Sequence, residues 1–151
     1  ALPWPTRPYR DDRLALLVPR AHALARRAAV KLEQIADAEL VGLEDGSAMV
    51  LALERAASAA GRVLHLRTRV GSYDSMAAMV AQGVGVGVMP VAVARQAARN
   101  RGLRCLTIDE PWAERRFLLC TQPLDALSSA GRSIAQLLAA DSPNANPASV
   151  K

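Results

Sequence analysis

The sequence predicts an α/β domain in which helices flank a mainly parallel β-sheet. The first reason is that candidate strands and helices alternate along the chain in the order β-α-β-α-β-α-β-α-β-β-α. The second is the nearly continuous apolar run R-L-A-L-L-V-P at residues 13–19, which is typical of a strand buried on both faces. The third is the stretch of residues 70–90, where a capped helix, a glycine stop and a buried strand follow one another.

After the first strand, the pattern predicts an irregular stretch around His22, a short helix at residues 31–36 and an apolar strand at residues 39–43. Ser47 is a candidate N-cap for the next helix, which runs to about residue 60. A serine hydroxyl at this position can accept a hydrogen bond from the N–H groups that lack acceptors in the first helical turn. The predicted inner face of this helix carries Val50, Leu53 and Ala57.

The centre of the chain has the most regular pattern. Residues 63–70 alternate as in a strand with one solvent-facing side, and Ser72 is the candidate N-cap of the helix that follows. Gly83 can adopt the left-handed conformation that ends a helix. Gly85 and Gly87 alternate with valines in a strand, where they are predicted to let a helix come close. The predicted inner face of the helix carries Tyr73, Met76, Met79 and Val80.

The remaining chain is predicted to contain an alanine-rich helix at residues 91–100 and strands at residues 103–108 and 115–121. A final amphipathic helix begins at Ser128 or Ser129, with Ile134, Leu137 and Leu138 as its inner positions. The tail from residue 141 is rich in turn formers and poor in apolar side chains, so it is predicted to be disordered.

The composition argues against direct binding to nucleic acid or membranes. The net charge is +5, but the basic residues are dispersed and only 3% of residues are aromatic, which leaves little for base stacking. No apolar run approaches the roughly 20 residues that a membrane helix needs. Cys105 and Cys120 each lie in an apolar stretch and are interpreted as buried free thiols, which favours a cytoplasmic protein.

No catalytic, metal or cofactor motif is predicted. Glycines 83, 85 and 87 follow a helix and lie in a strand, whereas a phosphate-binding fingerprint lies between a strand and a helix. Neither His22 nor His65 has a carboxylate at a spacing that indicates a catalytic pair, and there is no G-x-S-x-G motif. Glu44 and Asp45 form a close acidic pair in a loop, and solvated loop charges explain them better than a metal site.

Two strand-to-helix turns, at residues 43–47 and 70–74, remain as a candidate ligand site. Each turn would offer free N–H groups, a hydroxyl and the positive end of a helix dipole, which suits a carboxylate or another small polar group. The alternative is that Ser47 and Ser72 only cap their helices, and the residues alone leave both interpretations open.

Three stretches of the chain resemble a known family. The run L-A-L-L-V-P-R-A-H-A-L-A at residues 14–25 is similar to a strand followed by a P-x-x-H-P-L-A turn, with Ala23 where proline is usual. The run L-E-Q-I-A-D-A-E-L-V-G-L-E at residues 32–44 is similar to L-x-D-L-x-x-x-P-L-I. The run M-V-A-Q-G-V-G-V-G-V-M-P at residues 79–90 most closely resembles L-V-A-A-G-x-G-I-A-L-L-P. Together they resemble the C-terminal effector-binding domain of LysR-type transcriptional regulators over roughly residues 6–140.

The resemblance implies a fold like that of type II periplasmic binding proteins, in which two α/β lobes are joined by crossing strands and hold the effector in a cleft. Residues 1–13 would be a crossing segment, 14–113 the second lobe, 114–140 the return strand and C-terminal helix of the first lobe, and 141–151 the disordered tail. The effector-binding residues that the resemblance implies are Leu43, Gly46, Ser47, Gly71, Ser72 and Tyr73.

The implied function is effector sensing by a domain of a cytoplasmic regulator that forms homodimers or tetramers and contacts DNA only through an N-terminal domain absent from this chain. The effector would be a small carboxylate or an aromatic molecule, and Glu44 and Asp45 argue mildly against a highly anionic one. Because most of the first lobe is also absent, exposed apolar surface is expected around the last helix, together with association to cover it. The alternatives are a periplasmic-type solute-binding module and a small α/β enzyme with an acid/base pair at the two turns.

Overall fold

The structure is a computed structural model of the 151-residue chain, and it describes residues 4–44 and 46–141. Asp45 and the tail beyond residue 141, which is predicted to be disordered, lie outside the described residues. The strands are β1 (Thr6–Val18), β2 (Ala29–Val30), β3 (Glu39–Leu43), β4 (His65–Val70), β5 (Gly87–Pro90), β6 (Arg104–Ile108) and β7 (Glu114–Cys120). The helices are α1 (Leu32–Ala36), α2 (Ala48–Ala59), α3 (Tyr73–Ala81), α4 (Val91–Arg101) and α5 (Ser129–Ala140), and short 3₁₀ turns occur at Ala23–Arg26 and Pro111–Ala113.

The chain divides by its contacts into two compact units. The central unit is Arg13–Glu114, and the terminal unit contains residues 4–12 and 115–141 of the described chain. β1 begins at Thr6 rather than at residue 13, because its first part pairs with β7 within the terminal unit.

The second half of β1 lies at the centre of the sheet in the central unit. It runs antiparallel to β5 on one side and to β6 on the other, so that Leu16 is opposite both Val88 and Leu106. β2 is parallel to β6, and the parallel pair β3–β4 joins β5 through a parallel bridge between Leu40 and Val86. The predicted α/β fold is confirmed, and within the central unit parallel and antiparallel pairs occur together.

The core of the central unit is built around β1. Residues 14–18 are at most 1% exposed, so the predicted burial of this run on both faces is confirmed. They share the core with Ile35 of α1, Met76 of α3 and Met89 of β5, which are all fully buried.

The buried face of α2 differs by one position from the predicted face. Met49, Leu53 and Ala57 are buried, whereas Val50 is only half-buried. Each residue rotates the helix by about 100°, so a choice between neighbouring apolar residues depends on the angle at which the helix meets the sheet. That angle is a tertiary property, which the local pattern does not contain.

The buried face of α3 also differs from the prediction. Met76, Ala77 and Val80 are buried and Tyr73 is half-buried, but Met79 is 39% exposed. Met79 lies about one 100° step from Val80 and therefore falls at the edge of the buried stripe.

The two strand glycines have different neighbours. A Cβ atom on Gly87 would lie 2.7 Å from the sulfur of Met76 in α3, so the predicted close approach of a helix is confirmed there. A Cβ atom on Gly85 would lie 2.4 Å from the backbone carbonyl oxygen of Glu39 in β3. The prediction of a helix against Gly85 is therefore wrong, because the close neighbour is an adjacent strand.

In the terminal unit, the predicted inner positions of α5 are mostly outside. Ile134 is 58% exposed and Leu137 is 70% exposed, whereas Ala135 is buried. The prediction that Ile134 and Leu137 face inward is therefore wrong. The exposed apolar surface that was expected around the last helix is present.

The imidazole of His22 has a structural role at the turn after β1. Its Nδ1 atom accepts a hydrogen bond from the backbone N–H of Leu24 at 3.2 Å and so caps the 3₁₀ turn. Partial burial lowers the pKa of His22 below its ordinary value of 6.5. The neutral imidazole, which can accept this hydrogen bond, is thus the form that the fold favours.

This capping predicts a pH dependence of stability. Because the pKa of His22 is lower in the folded chain than in the unfolded chain, His22 contributes stability above pH 6.5 that is lost as the pH falls below it. Urea unfolding between about pH 7.5 and about pH 5.5 should therefore show a declining free energy of unfolding, with a smaller decline in His22→Asn. The control is the exposed His65, and His65→Asn should keep the full decline. Equal declines in the wild type and in His22→Asn would contradict the assignment.

Candidate functional site

The two predicted turns are neighbours at one edge of the sheet. Leu43 at the end of β3 is paired with Val70 at the end of β4, and the N–H of Glu44 donates to the carbonyl of Val70 at 3.1 Å. The strands are parallel, so the turns that lead into α2 and α3 follow the carboxyl ends of two neighbouring strands. The register between β3 and β4 thus brings the two turns together.

The first turn ends in a serine cap. Gly46 has a φ of +89°, a conformation that side chains rarely adopt, and it reverses the chain before α2. The Oγ atom of Ser47 then accepts a hydrogen bond from the N–H of Val50 at 3.1 Å, as predicted for an N-cap. The hydroxyl hydrogen of Ser47 is not used by this bond and can be donated to another group.

The second turn contains a pair of hydroxyl groups. The Oγ atom of Ser72 accepts from the N–H of Ser75 at 3.1 Å, which confirms the predicted cap of α3. The Ser72 hydroxyl also lies 2.9 Å from the Ser75 hydroxyl, and Ser72 is the donor in this assignment. Ser75 is exposed and keeps its own hydroxyl hydrogen for a further acceptor. The sequence interpretation missed Ser75, although the S-x-x-S spacing places it within reach of the cap.

The other predicted residues contribute differently. Gly71 is exposed in the second turn, next to Ser72. Leu43 lines an apolar cavity of about 30 Å³ between β3 and α2, together with Met49. Tyr73 lines a separate groove of about 480 Å³ between α3 and α4. The backbones of the two turns are therefore brought together, whereas the side chains of Leu43 and Tyr73 line different cavities.

The charges around the turns oppose each other. The N-termini of α2 and α3 both present the positive end of a helix dipole, which favours a negative group. The Glu44 carboxylate lies close by, because one of its oxygens would be 3.6 Å from a Cβ atom on Gly71. Asp74 is turned toward α4, where Arg101 donates to its carboxylate at 2.8 Å. The arrangement suits a polar ligand with at most a modest negative charge.

Metal binding and membrane insertion are two further possibilities for the part of the chain that the structure describes. No group of three or more histidine, cysteine, aspartate or glutamate side chains there is arranged to hold a metal ion. None of the helices formed by residues 4–44 and 46–141 is long and apolar enough to cross a membrane.

One curated relative shares part of its sequence with this chain. An uncharacterized HTH-type transcriptional regulator of Methanocaldococcus jannaschii is 34% identical over 89 residues, which are 57% of this chain and 30% of that protein. The aligned part therefore spans less than a third of the relative's length.

Several solved structures have the same fold. The CcmR regulatory domain of Synechocystis in complex with 2-PG superposes with a TM-score of 0.80 at 23% identity, over 93% of this chain and 67% of that one. The effector-binding domain of QuiR in complex with shikimate gives 0.70 at 18% identity, over 89% and 62%. The reduced form of OxyR gives 0.71 at 25% identity, over 93% and 66%. The chain thus spans about two thirds of each of these domains.

The family model described as the LysR substrate binding domain matches residues 4–142, which is nearly the whole chain. This match agrees with the fold, with the effector-binding regulatory domains among its structural neighbours and with the HTH-type regulator among its sequence relatives. It favours a regulator over the alternatives of a periplasmic solute-binding module and an enzyme. The chain belongs to the LysR substrate-binding domain family, whose members are the effector-sensing domains of transcriptional regulators.

Proposed function

We propose that this domain binds a small-molecule effector at the paired turns formed by residues 43–47 and 71–75. The observation that carries the proposal is the pairing of Leu43 with Val70, because the two turns that follow these residues each lead into a serine-capped helix. The residues proposed to contact the effector are Leu43, Gly46, Ser47, Gly71, Ser72, Tyr73 and, in addition, Ser75.

The proposed effector is a small molecule with a carboxylate or an aromatic ring. First-turn N–H groups of α2 and α3 have no acceptor within their helices, and the hydroxyls of Ser47 and Ser75 are available as donors. These groups suit the oxygen atoms of one carboxylate or of neighbouring hydroxyls. The nearby Glu44 carboxylate disfavours a ligand with several negative charges.

We propose that residues 14–113 form the second lobe of the effector-binding domain and that residues 114–140 return to the first lobe. The division of contacts into Arg13–Glu114 and the flanking segments supports this assignment. An effector held by the second lobe can bias the pose of the first lobe only if the domain binds the effector with different affinities in the different poses.

The regulator that contains this domain is proposed to be cytoplasmic and to form homodimers or tetramers. Its DNA contacts are proposed to be made by a helix-turn-helix domain, as the description of the curated relative suggests. Effector binding and DNA binding would then be coupled reciprocally. An effector that favours one pose of the lobes changes the affinity for DNA, and DNA changes the affinity for the effector by the same factor.

The proposal is tested by calorimetric titration of this chain with shikimate and with a panel of small carboxylates. For any compound that binds, Ser75→Ala is expected to weaken the affinity about 5- to 10-fold, because one hydrogen bond of about 1 kcal/mol is lost. Ser47→Ala should act similarly and should also destabilise α2 by about 1 kcal/mol through loss of its cap.

Ser58→Ala is the matched control, since Ser58 is exposed at the far end of α2. Its affinity should equal that of the wild type. If both Ser47→Ala and Ser75→Ala bind as tightly as Ser58→Ala, the paired turns are not the effector site.

A further inference from the structure

A third cavity lies in the central unit, separate from the two that are lined by Leu43 and Tyr73. Its volume is about 320 Å³, and it opens between the start of α4 and the strands β1 and β6. Ala15 of β1 and Thr107 of β6 are opposite each other in the sheet and both line it. None of the residues proposed for the effector site lines this cavity.

Two guanidinium groups line this cavity. Arg95 projects from α4, and no carboxylate in the described chain forms an ion pair with it. Arg13 precedes the buried part of β1 and donates to the carboxylate of Glu114 at 2.8 Å. Among the described residues that line the cavity there is no aspartate or glutamate. The lining therefore carries an excess of positive charge.

The backbone around the cavity adds to this charge. α4 begins at Val91, which lines the cavity, and its N-cap is Pro90, which makes no side-chain hydrogen bond to the first turn. The first-turn N–H groups therefore have no capping side chain, and the positive end of the helix dipole lies beside the two arginines.

The Cys105 thiol lies in the same cavity. It is half-buried, and burial raises its pKa, while the charge of Arg95 opposes part of that rise. Arg95 and Cys105 both line the cavity. The thiol is protonated at neutral pH and adds no negative charge to the cavity.

We propose that this cavity is a binding site for a small oxyanion, either a carboxylate or a phosphate group of a compact organic ligand. Arg95 and Arg13 supply charge-assisted hydrogen bonds, Thr107 supplies a hydroxyl, and the apolar wall of Ala15 and Val91 accommodates a short carbon skeleton. The site is distinct from the paired turns and does not depend on them.

Cys105 serves as a reporter of occupancy. In a Cys120→Ser background, Cys105 is the single thiol, and its alkylation by iodoacetamide can be followed by mass spectrometry. Inorganic phosphate and acetate are the two probes, each compared with chloride at equal ionic strength. At least one probe should slow alkylation about 3-fold or more in a saturable manner, and the stronger one identifies phosphate or carboxylate as the preferred group.

Arg95→Gln is expected to abolish this protection, whereas Arg99→Gln, one turn further along α4 and outside the cavity, should keep it. Amide NMR shifts of Cys105 and Thr107 on titration with the same probes provide a second readout that does not depend on thiol reactivity. Circular dichroism establishes that the variants are folded. The proposal is overturned if neither probe affects alkylation or the amide shifts, if chloride acts equally, or if protection persists in Arg95→Gln.

Discussion

Replacement of Gly85 by alanine is expected to lower the free energy of unfolding by roughly 3 kcal/mol. The new Cβ atom would lie 2.4 Å from the carbonyl oxygen of Glu39, a distance at which one of the two backbones has to move. That oxygen accepts from the N–H of Val86 at 2.8 Å, and the N–H of Val41 donates back to Val86 at 2.9 Å. Relief of the clash would therefore break the pairing of β3 with the segment that leads into β5.

Gly87→Ala is the matched control, because its new Cβ atom would meet the sulfur and Cγ of Met76 rather than a backbone. A methionine side chain can change rotamer, so a cost of about 1 kcal/mol is expected. Urea unfolding at neutral pH measures both variants. If both variants lost the same free energy of unfolding, the contact of β3 with Gly85 would be no tighter than the contact of Met76 with Gly87.

The Gly85→Ala substitution also connects the fold to the proposed effector site. β3 leads directly into the turn at residues 43–47, and its register with β4 holds that turn beside the second one. A shift of β3 away from residue 85 would displace the turn at residues 43–47, so Gly85→Ala should also weaken the binding of any ligand that bridges the two turns.

Local features of this chain could be predicted from its sequence. Ser47, Ser72 and Ser128 accept hydrogen bonds at the predicted helix starts, and Gly83 and Gly102 have positive φ at the predicted ends. Each of these features depends on residues within one helical turn of it, so the relevant contacts are present in the local sequence.

Features that depend on strand order could not be predicted in the same way. The neighbour of Gly85 is β3, more than forty residues earlier in the chain, and only the bridge between Leu40 and Val86 places it there. The choices between Met49 and Val50 in α2, and between Ala77 and Met79 in α3, depend on how each helix lies on the sheet.

The candidate site follows the same division. Its two turns and their caps could be predicted, and the S-x-x-S spacing was a local signal for Ser75, but the adjacency of the turns rests on the pairing of Leu43 with Val70. The cavity lined by Arg13 and Arg95 combines residues from distant parts of the chain, so no local sequence motif predicts it.

Substitution of Ile134 and Leu137 by glutamate is expected to weaken self-association of this chain about 100-fold or more. Among the described residues, six of the ten large apolar side chains that are exposed belong to the terminal unit, which is the smaller of the two. Ile134 and Leu137 are among the most exposed of them and lie three residues apart on one face of α5. A second copy of this chain that covers this face would bury both side chains.

Burial of each side chain contributes about 1.5 kcal/mol or more, and two such terms correspond to the 100-fold change. Sedimentation velocity over a range of concentrations measures the self-association. The wild type should show concentration-dependent association, and Ile134→Glu/Leu137→Glu should remain monomeric. Val63→Glu is the matched control, because Val63 is 78% exposed in the central unit and the substitution adds the same kind of charge. It should associate as the wild type does. A wild-type chain that is monomeric at all concentrations would exclude α5 as the associating surface. An equal loss of association in Val63→Glu would exclude it too, because only Ile134→Glu/Leu137→Glu removes apolar side chains of α5.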